Sequence, residues 1–307
     1  MMADEGSELR GLDDLATEKA NPASRDLDLL DTESMLRVMN EADRGVALAV
    51  ALEIPRIAIV VDRAARSLAE GGRLHSFGAG TSGRIALLDA VECPPTFGVP
   101  ADLVQGHLAG GEAAFVRAKE GAEDSLALGE QEVQDAGIRA VDVVLAISAS
   151  GRTPYGLGVL AAARARGAFT VAIVGNPESP MAGAADQAVV PVTGEEILSG
   201  STRLKAGTAQ KMVLNMISTG VMVRLGRTYG NLMIGVQPTN EKLRRRALRL
   251  LETITGKDHG LEAALDAADG DLRVAALLVA KNHDLETACA RLAACGGSLR
   301  RAMENPS

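Results

Sequence analysis

The sequence predicts an α/β protein, with a mostly parallel sheet covered by helices on both faces and a small helical module at its end. Three observations carry this. From Arg73 to Val192, short apolar runs alternate with helix-length segments, the pattern of strands joined by crossover helices. The runs at 141–148 and 169–175 are apolar at almost every position, as in strands buried on both faces. From Glu241 onward only helical periodicity remains, with breaks at Gly256, Gly260, Gly270 and Gly296–Gly297.

Each element follows from its own residues. Residues 1–20 are polar and are expected to be a flexible arm. Helices are expected at 33–40, with Thr32 as the cap, and at 55–70, where apolar residues recur at helical spacing. A strand at 73–78 leads to a helix at 81–91, which should stop there because Pro94 disfavours helix at Cys93. A short strand at 101–108, a helix at 123–134 and the buried strand at 141–148 follow. Then come a helix at 155–166 and strands at 169–175 and 187–192. The helix from Arg203 to about Arg224 is apolar nearly all round (Leu204, Met212, Val213, Ile217, Val221), so it belongs in a core or a subunit interface. The expected organisation is an arm (1–20), a sheet domain with flanking helices (21–256) and a helical module (257–307).

Composition narrows the function. Hydrophobic residues make up 47% of the 307, enough for a sizeable core. Lys and Arg total 32 against 40 Asp and Glu, a net charge of −8, so the basic excess of a nucleic-acid groove is missing. Aromatics are 2% with no Trp, which leaves hydrogen bonds and charge, not stacking, to grip a sugar-like ligand. Three cysteines without a C-x-x-C fit a reducing cytoplasm. The acidic start lacks signal-peptide features, and Glu53, Pro55 and Arg56 interrupt the most apolar early stretch, so neither secretion nor a membrane span is expected.

Three loops share one chemistry. Gly78-Ala79-Gly80-Thr81-Ser82-Gly83 matches G-x-G-x-x-G between a strand and a helix. The next strand, however, ends Val104-Gln105-Gly106-His107, without the acid that would hold a ribose. Gly80, Thr81 and Ser82 therefore suit a phosphate monoester better than a dinucleotide; the alternative is a tight turn and nothing more. Ser148-Ala149-Ser150-Gly151-Arg152-Thr153-Pro154 leaves the most buried strand and opens a helix. Ser148, Ser150, Gly151 and Thr153 would cradle an oxyanion, unless Thr153 is a plain N-cap. Ser199-Gly200-Ser201-Thr202-Arg203-Leu204-Lys205 opens the long helix, with Ser201 and Lys205 as candidates against an ordinary cap. Together the loops lie at the expected sheet edge where open α/β folds bind ligands, and they point to a phosphorylated small molecule, a sugar phosphate.

Two carboxylates stand out. Glu92 sits at the expected end of its helix, where the dipole favours cations, so its placement invites an acid/base role. Glu123 stands near a helix start, where capping competes with catalysis, and Glu120 and Asp124 are alternatives beside it. The four histidines show no ligand spacing with one another or with the cysteines, so no metal is expected.

The segments GAGTSGR (78–84), DAVECPPTFG (89–98), AGGEAAF (109–115), EGAEDS (120–125), SASGRTPYG (148–156), GSTRLKAGTAQK (200–211) and NLMIGVQPTNEKL (231–243), with TEKANPAS (17–24), resemble in order those of the N-acetylmuramic acid 6-phosphate etherases. That family is built on a sugar-isomerase (SIS) domain and is related to glucokinase-regulating proteins. The resemblance runs from Thr17 to the C-terminus; Glu195 departs from it, in place of a small residue or proline. It implies cleavage of the D-lactyl ether of N-acetylmuramic acid 6-phosphate to N-acetylglucosamine 6-phosphate and D-lactate, by elimination and hydration, without cofactor or metal. It implies acid/base roles for Glu92 and Glu123. Phosphate would sit on Ser82, Ser148, Ser150 and Thr153, and the Gly200-Ser201 loop with Lys205 would close over the sugar. It further implies a cytoplasmic homodimer and a UBA-like C-terminal module. An aldose–ketose isomerase on the same scaffold and a phosphosugar sensor are the competing expectations. Lactate release separates the etherase from both.

Overall fold

The computed structural model describes residues 19–304 except 118, 237 and 239. The expected arm therefore lies, apart from its last two residues, outside the described residues. The chain forms two compact units, Met1–Ala90 with Val104–Ile217 and Val91–Leu103 with Ser218–Ser307.

The first unit opens with two short 3-10 turns, Pro22–Ser24 and Leu27–Leu29, and helices α1 (Thr32–Leu52) and α2 (Ile54–Ala69). Then come β1 (Leu74–Gly78), α3 (Gly80–Phe97, whose last turns belong to the second unit), β2 (Val104–Leu108) and α4 (Ala113–Val116). They are followed by α5 (Leu126–Asp135), β3 (Val143–Ser148), α6 (Pro154–Ala165), β4 (Phe169–Val174), α7 (Pro180–Ala184) and β5 (Gln187–Val189). The long α8 (Lys205–Arg224) closes this unit and continues into the next.

The five strands are all parallel in the order β2-β1-β3-β4-β5. The chain leaves β1 toward one edge and β3 toward the other, which makes the β1/β3 junction the switch point of the sheet. Gly78 pairs with Leu108 on one side and Ile147 on the other, and Ser148 follows, so all three strands end at the same level. β3 is buried along its whole length. One face packs Phe77, Val144 and Ala146 against Tyr155, Val159 and Leu160 of α6. Burial at this density is what holds the loops beyond the strands in place.

The second unit holds a two-stranded ribbon, β6 (Thr228–Tyr229) with β7 (Leu232–Met233), and α9 (Glu241–Thr255), α10 (Leu261–Ala267), α11 (Leu272–Lys281), α12 (Leu285–Ala294) and α13 (Leu299–Glu304). Ala247, Leu251 and Ile254 of α9 share one core with Leu265, Leu272 and Leu277 of the helices after it. Asn240 caps α9 through the Leu243 N–H, 2.9 Å away.

Four local expectations are corrected. α1 is capped by Asp31, which accepts from the Ser34 N–H at 3.0 Å, and Thr32 is its first residue; the helix also runs on to Leu52. α3 passes through Pro94 and Pro95 to Phe97. Each proline removes one intrahelical bond, those to the Ala90 and Val91 carbonyls, yet the last turn is closed by the Gly98 N–H on the Pro94 carbonyl (2.9 Å), and Cys93 and Phe97 are buried. Side-chain burial has outweighed the preference of the residue before proline. α5 begins only at Leu126 behind Ser125, whose hydroxyl accepts from the Leu128 N–H, so Glu123 belongs to a loop. β5 ends at Val189 because Glu53 takes the Val190 N–H (2.8 Å) and Pro191 has none.

Candidate active site

The turn from β1 into α3 is both a tight junction and a cavity wall, with different residues serving each role. A Cβ on Gly83 would lie 2.3 Å from the Gly78 carbonyl oxygen, and one on Gly78 2.6 Å from the Gly83 nitrogen. Only glycine allows that approach. Gly80, Thr81 and Ser82, between them, form the first turn of α3 and face a cavity of about 180 Å³. The Ser82 hydroxyl donates to Gln210 Oε1 at 2.9 Å, a buried bond to α8.

The loop after β3 supplies the opposite wall. Ser148 is its hub: Ser148 Oγ lies 2.7 Å from Thr153 Oγ1 and 3.3 Å from Ser150 Oγ, and accepts from the Gly151 N–H at 3.1 Å. Thr153 occupies the N-cap position of α6 but makes no side-chain capping bond, so its hydroxyl is engaged with Ser148 instead. Ser148, Ser150 and Thr153 all line the cavity, as do Gly200 and Thr202. Hydroxyls and the opening turns of two helices therefore surround one space, an arrangement that favours an anion.

Glu123 lines this cavity and also a neighbouring one of about 170 Å³. Ala79 and Gly80 are the other residues common to both walls. The backbone of Glu123 is fixed by its carbonyl, which accepts from the Tyr155 N–H at 3.0 Å. Tyr155 in turn donates its hydroxyl to Glu132, which also accepts from the Gly110 N–H at 3.3 Å. Burial and the Glu132 carboxylate push the Tyr155 phenol well above its ordinary range, so this hydroxyl is a fixed donor and not a titrating group. Of the alternative acids, Glu120 lines only the second cavity and Asp124 neither.

The other expected residues have different surroundings. Gly151 lines neither cavity; its N–H serves Ser148 and its carbonyl accepts from the Met181 N–H. Ser201 makes a backbone turn through its N–H to the Leu198 carbonyl (2.9 Å). Lys205 is buried, with Nζ donating to the Thr193 carbonyl at 2.7 Å. Glu92 belongs to the second unit, where it is exposed on α3.

Several contributors escaped the sequence. Glu196, fully buried, accepts from the Lys205 and Ala206 N–H groups (3.0 and 2.9 Å) and so caps α8 from an earlier loop. Thr202 stood in the same Ser/Thr run as Ser201, and only the turn geometry chose between them. Gln210 carried no signal, being one polar residue on an apolar helix. His75 and His107 pair across β1 and β2, with ring nitrogens 3.1 Å apart and His107 stacked on Phe77. Among the described residues, no cluster of His, Cys, Asp and Glu has the arrangement of a metal site.

Residues 56–164 match the glucokinase regulatory protein N-terminal SIS domain and residues 129–219 the SIS domain. The chain is 51% identical over 294 residues to N-acetylmuramic acid 6-phosphate etherase of Cronobacter sakazakii, covering 95% of this chain and 99% of that one. It is 51% identical over 290 residues to the Pectobacterium atrosepticum protein of the same name, covering 94% and 96%. With the Symbiobacterium thermophilum etherase the identity is 52% over 265 residues, covering 86% and 88%. With half of its residues shared along nearly its whole length, the chain belongs to the N-acetylmuramic acid 6-phosphate etherase family.

Proposed function

We propose that the chain cleaves the D-lactyl ether of N-acetylmuramic acid 6-phosphate, yielding N-acetylglucosamine 6-phosphate and D-lactate in the recycling of cell-wall amino sugars. The observation that carries this is the position of Glu123 on the wall shared by a hydroxyl-lined cavity and its neighbour. The phosphate takes the first cavity, accepting from the Ser148, Ser150 and Thr153 hydroxyls and from the opening turn of α3. That leaves the sugar carbons beside Glu123.

Opening of the ring exposes an aldehyde at C1, which acidifies the C2 proton. Glu123 takes that proton, the C3–O bond breaks, and lactate departs with the ether oxygen and a proton from an acid. Water then adds across the C2–C3 double bond, its hydroxyl to C3 and a proton to C2. Every step moves a proton or the electrons of the ether bond, so the scheme calls on no redox cofactor or metal. Glu92 is assigned the second proton transfer on its match to the family motif. Leu88 and Val91, beside it on α3, are half-exposed apolar side chains, which supports a homodimer that covers them. The chemistry is assigned to the domain expected at 21–256; the helical module expected at 257–307 shares its core with α9 and carries none of the named site residues. Among the described residues no helix is long and apolar enough to cross a membrane, and a cytoplasmic site of action is part of the proposal.

The test is D-lactate release from N-acetylmuramic acid 6-phosphate by the purified protein and by Glu123→Gln. Loss of a general base predicts a fall in kcat of roughly 100- to 10,000-fold, with phosphosugar binding retained. A wild type that binds the phosphosugar and releases no lactate would make the protein a sensor. A Glu123→Gln variant of undiminished kcat would remove Glu123 from the chemistry.

A further inference from the structure

The second cavity differs in character from the hydroxyl-lined one. Beside Glu123 and Glu120 it carries two cations, Arg84 and Lys119. Arg84 is anchored, with Nε and Nη2 donating to the Phe115 and Ala114 carbonyls at 2.9 and 2.7 Å. Those are neutral acceptors, so its charge is not cancelled by them. Lys119 is placed by its stem, which crosses Gly110: a Cβ there would stand 2.9 Å from Lys119 Cδ. Among the described residues neither cation has a carboxylate partner in an ion pair. Two cations on the wall of a cavity that also holds the proposed base are a receptor for an anion attached near the reacting carbons.

The proposed substrate has two anionic groups, a phosphate on C6 and a carboxylate on the ether arm at C3. The first cavity has hydroxyls and N–H groups for one of them. We infer that the second cavity receives the lactyl carboxylate, with Lys119 as its ammonium partner and Arg84 beside it. Lys119 then sets the preference for the lactyl-bearing sugar over the lactyl-free one. This rests on the lactyl-ether chemistry proposed above. The phosphate and carboxylate subsites lie on either side of Glu123, so the C2–C3 bond is held where the proton must leave. The same contact orients the leaving group before the C3–O bond breaks.

The experiment compares wild type, Lys119→Met and Lys119→Arg. Read-outs are KM and kcat for D-lactate release, and calorimetric Kd for N-acetylglucosamine 6-phosphate and for the lactyl-bearing sugar. Loss of one charge-assisted bond predicts a KM for the lactyl sugar raised about 10- to 100-fold in Lys119→Met. The Kd for the lactyl-free sugar phosphate should not move, and Lys119→Arg should restore most of the loss. An unchanged KM, or equal weakening of both sugars, overturns the inference, since Lys119 would then serve nothing or serve the phosphate. If wild type releases no lactate, the parent proposal fails on its own. The two Kd values then still decide this one: Lys119→Met must weaken the lactyl-bearing sugar alone.

Discussion

Replacing Glu196 with alanine tests how the Gly200–Thr202 segment is held over the cavity. The side chain is fully buried and accepts two backbone N–H groups at the start of α8, from Lys205 and Ala206. The neighbouring loop has two further anchors, Asn21 Nδ2 donating to the Glu195 carbonyl (3.3 Å) and Ser24 Oγ to the Ile197 carbonyl (2.7 Å). The first shows Glu195 contributing its backbone, which any residue there would supply. Truncation at Glu196 strands two buried N–H groups, at about 1.5–3 kcal/mol for each bond to a charged acceptor. Relaxation and water entry reduce the sum, so Glu196→Ala should cost about 3 kcal/mol and Glu196→Gln, which keeps one acceptor oxygen, about half that. For a unit of this size the alanine variant should melt about 6–12 °C lower. Calorimetry of wild type and both variants reads this directly, and KM for the phosphosugar should rise as Gly200 and Thr202 lose their support. An alanine variant melting within about 2 °C of wild type would refute the role assigned to this cap.

Ser148→Ala removes the hydroxyl shared by Thr153, Ser150 and the Gly151 N–H; KM for the phosphosugar should rise about tenfold, and an unchanged KM would move the phosphate elsewhere. The histidine pair predicts an acid limb in stability. Burial, then repulsion from His107 and from Arg73, holds His75 down to about 3, and burial followed by Arg73 holds His107 down to about 4. The folded protein thus leaves both neutral where the unfolded chain, with histidine near 6.5, binds protons. Stability is fully present above that value and falls with pH toward 4, by up to about 1.4 kcal/mol per pH unit for each ring. Urea unfolding at pH 7.5 and pH 5 should show the loss in wild type, and His75→Leu should flatten it; an equally steep slope in the variant would assign the limb to other groups.

The sequence by itself determined the class of fold and pointed to the kind of ligand proposed. Alternation of short apolar runs with helices is a consequence of burying a parallel sheet on both faces, so it survives in one dimension. The three Ser/Thr/Gly loops were legible for the same reason, because each lies directly between a strand or loop and the helix it opens. Even the small ribbon β6–β7 had its signal, the Gly230-Asn231 pair between its strands, but two-residue strands are too short to show an alternation. The boundaries at Thr32, Pro94 and Glu123 were misread because each depended on a competitor outside the local window: Asp31 took the cap, buried Cys93 and Phe97 drew the helix onward, and Ser125 started the next one. Only the tertiary structure decided which hydroxyls face the cavity, that Lys205 spends its charge on the Thr193 carbonyl, and that Lys119 crosses Gly110 into a second cavity. Those outcomes join residues far apart in the chain, and local spacing has no information about which distant group will reach a donor or acceptor first.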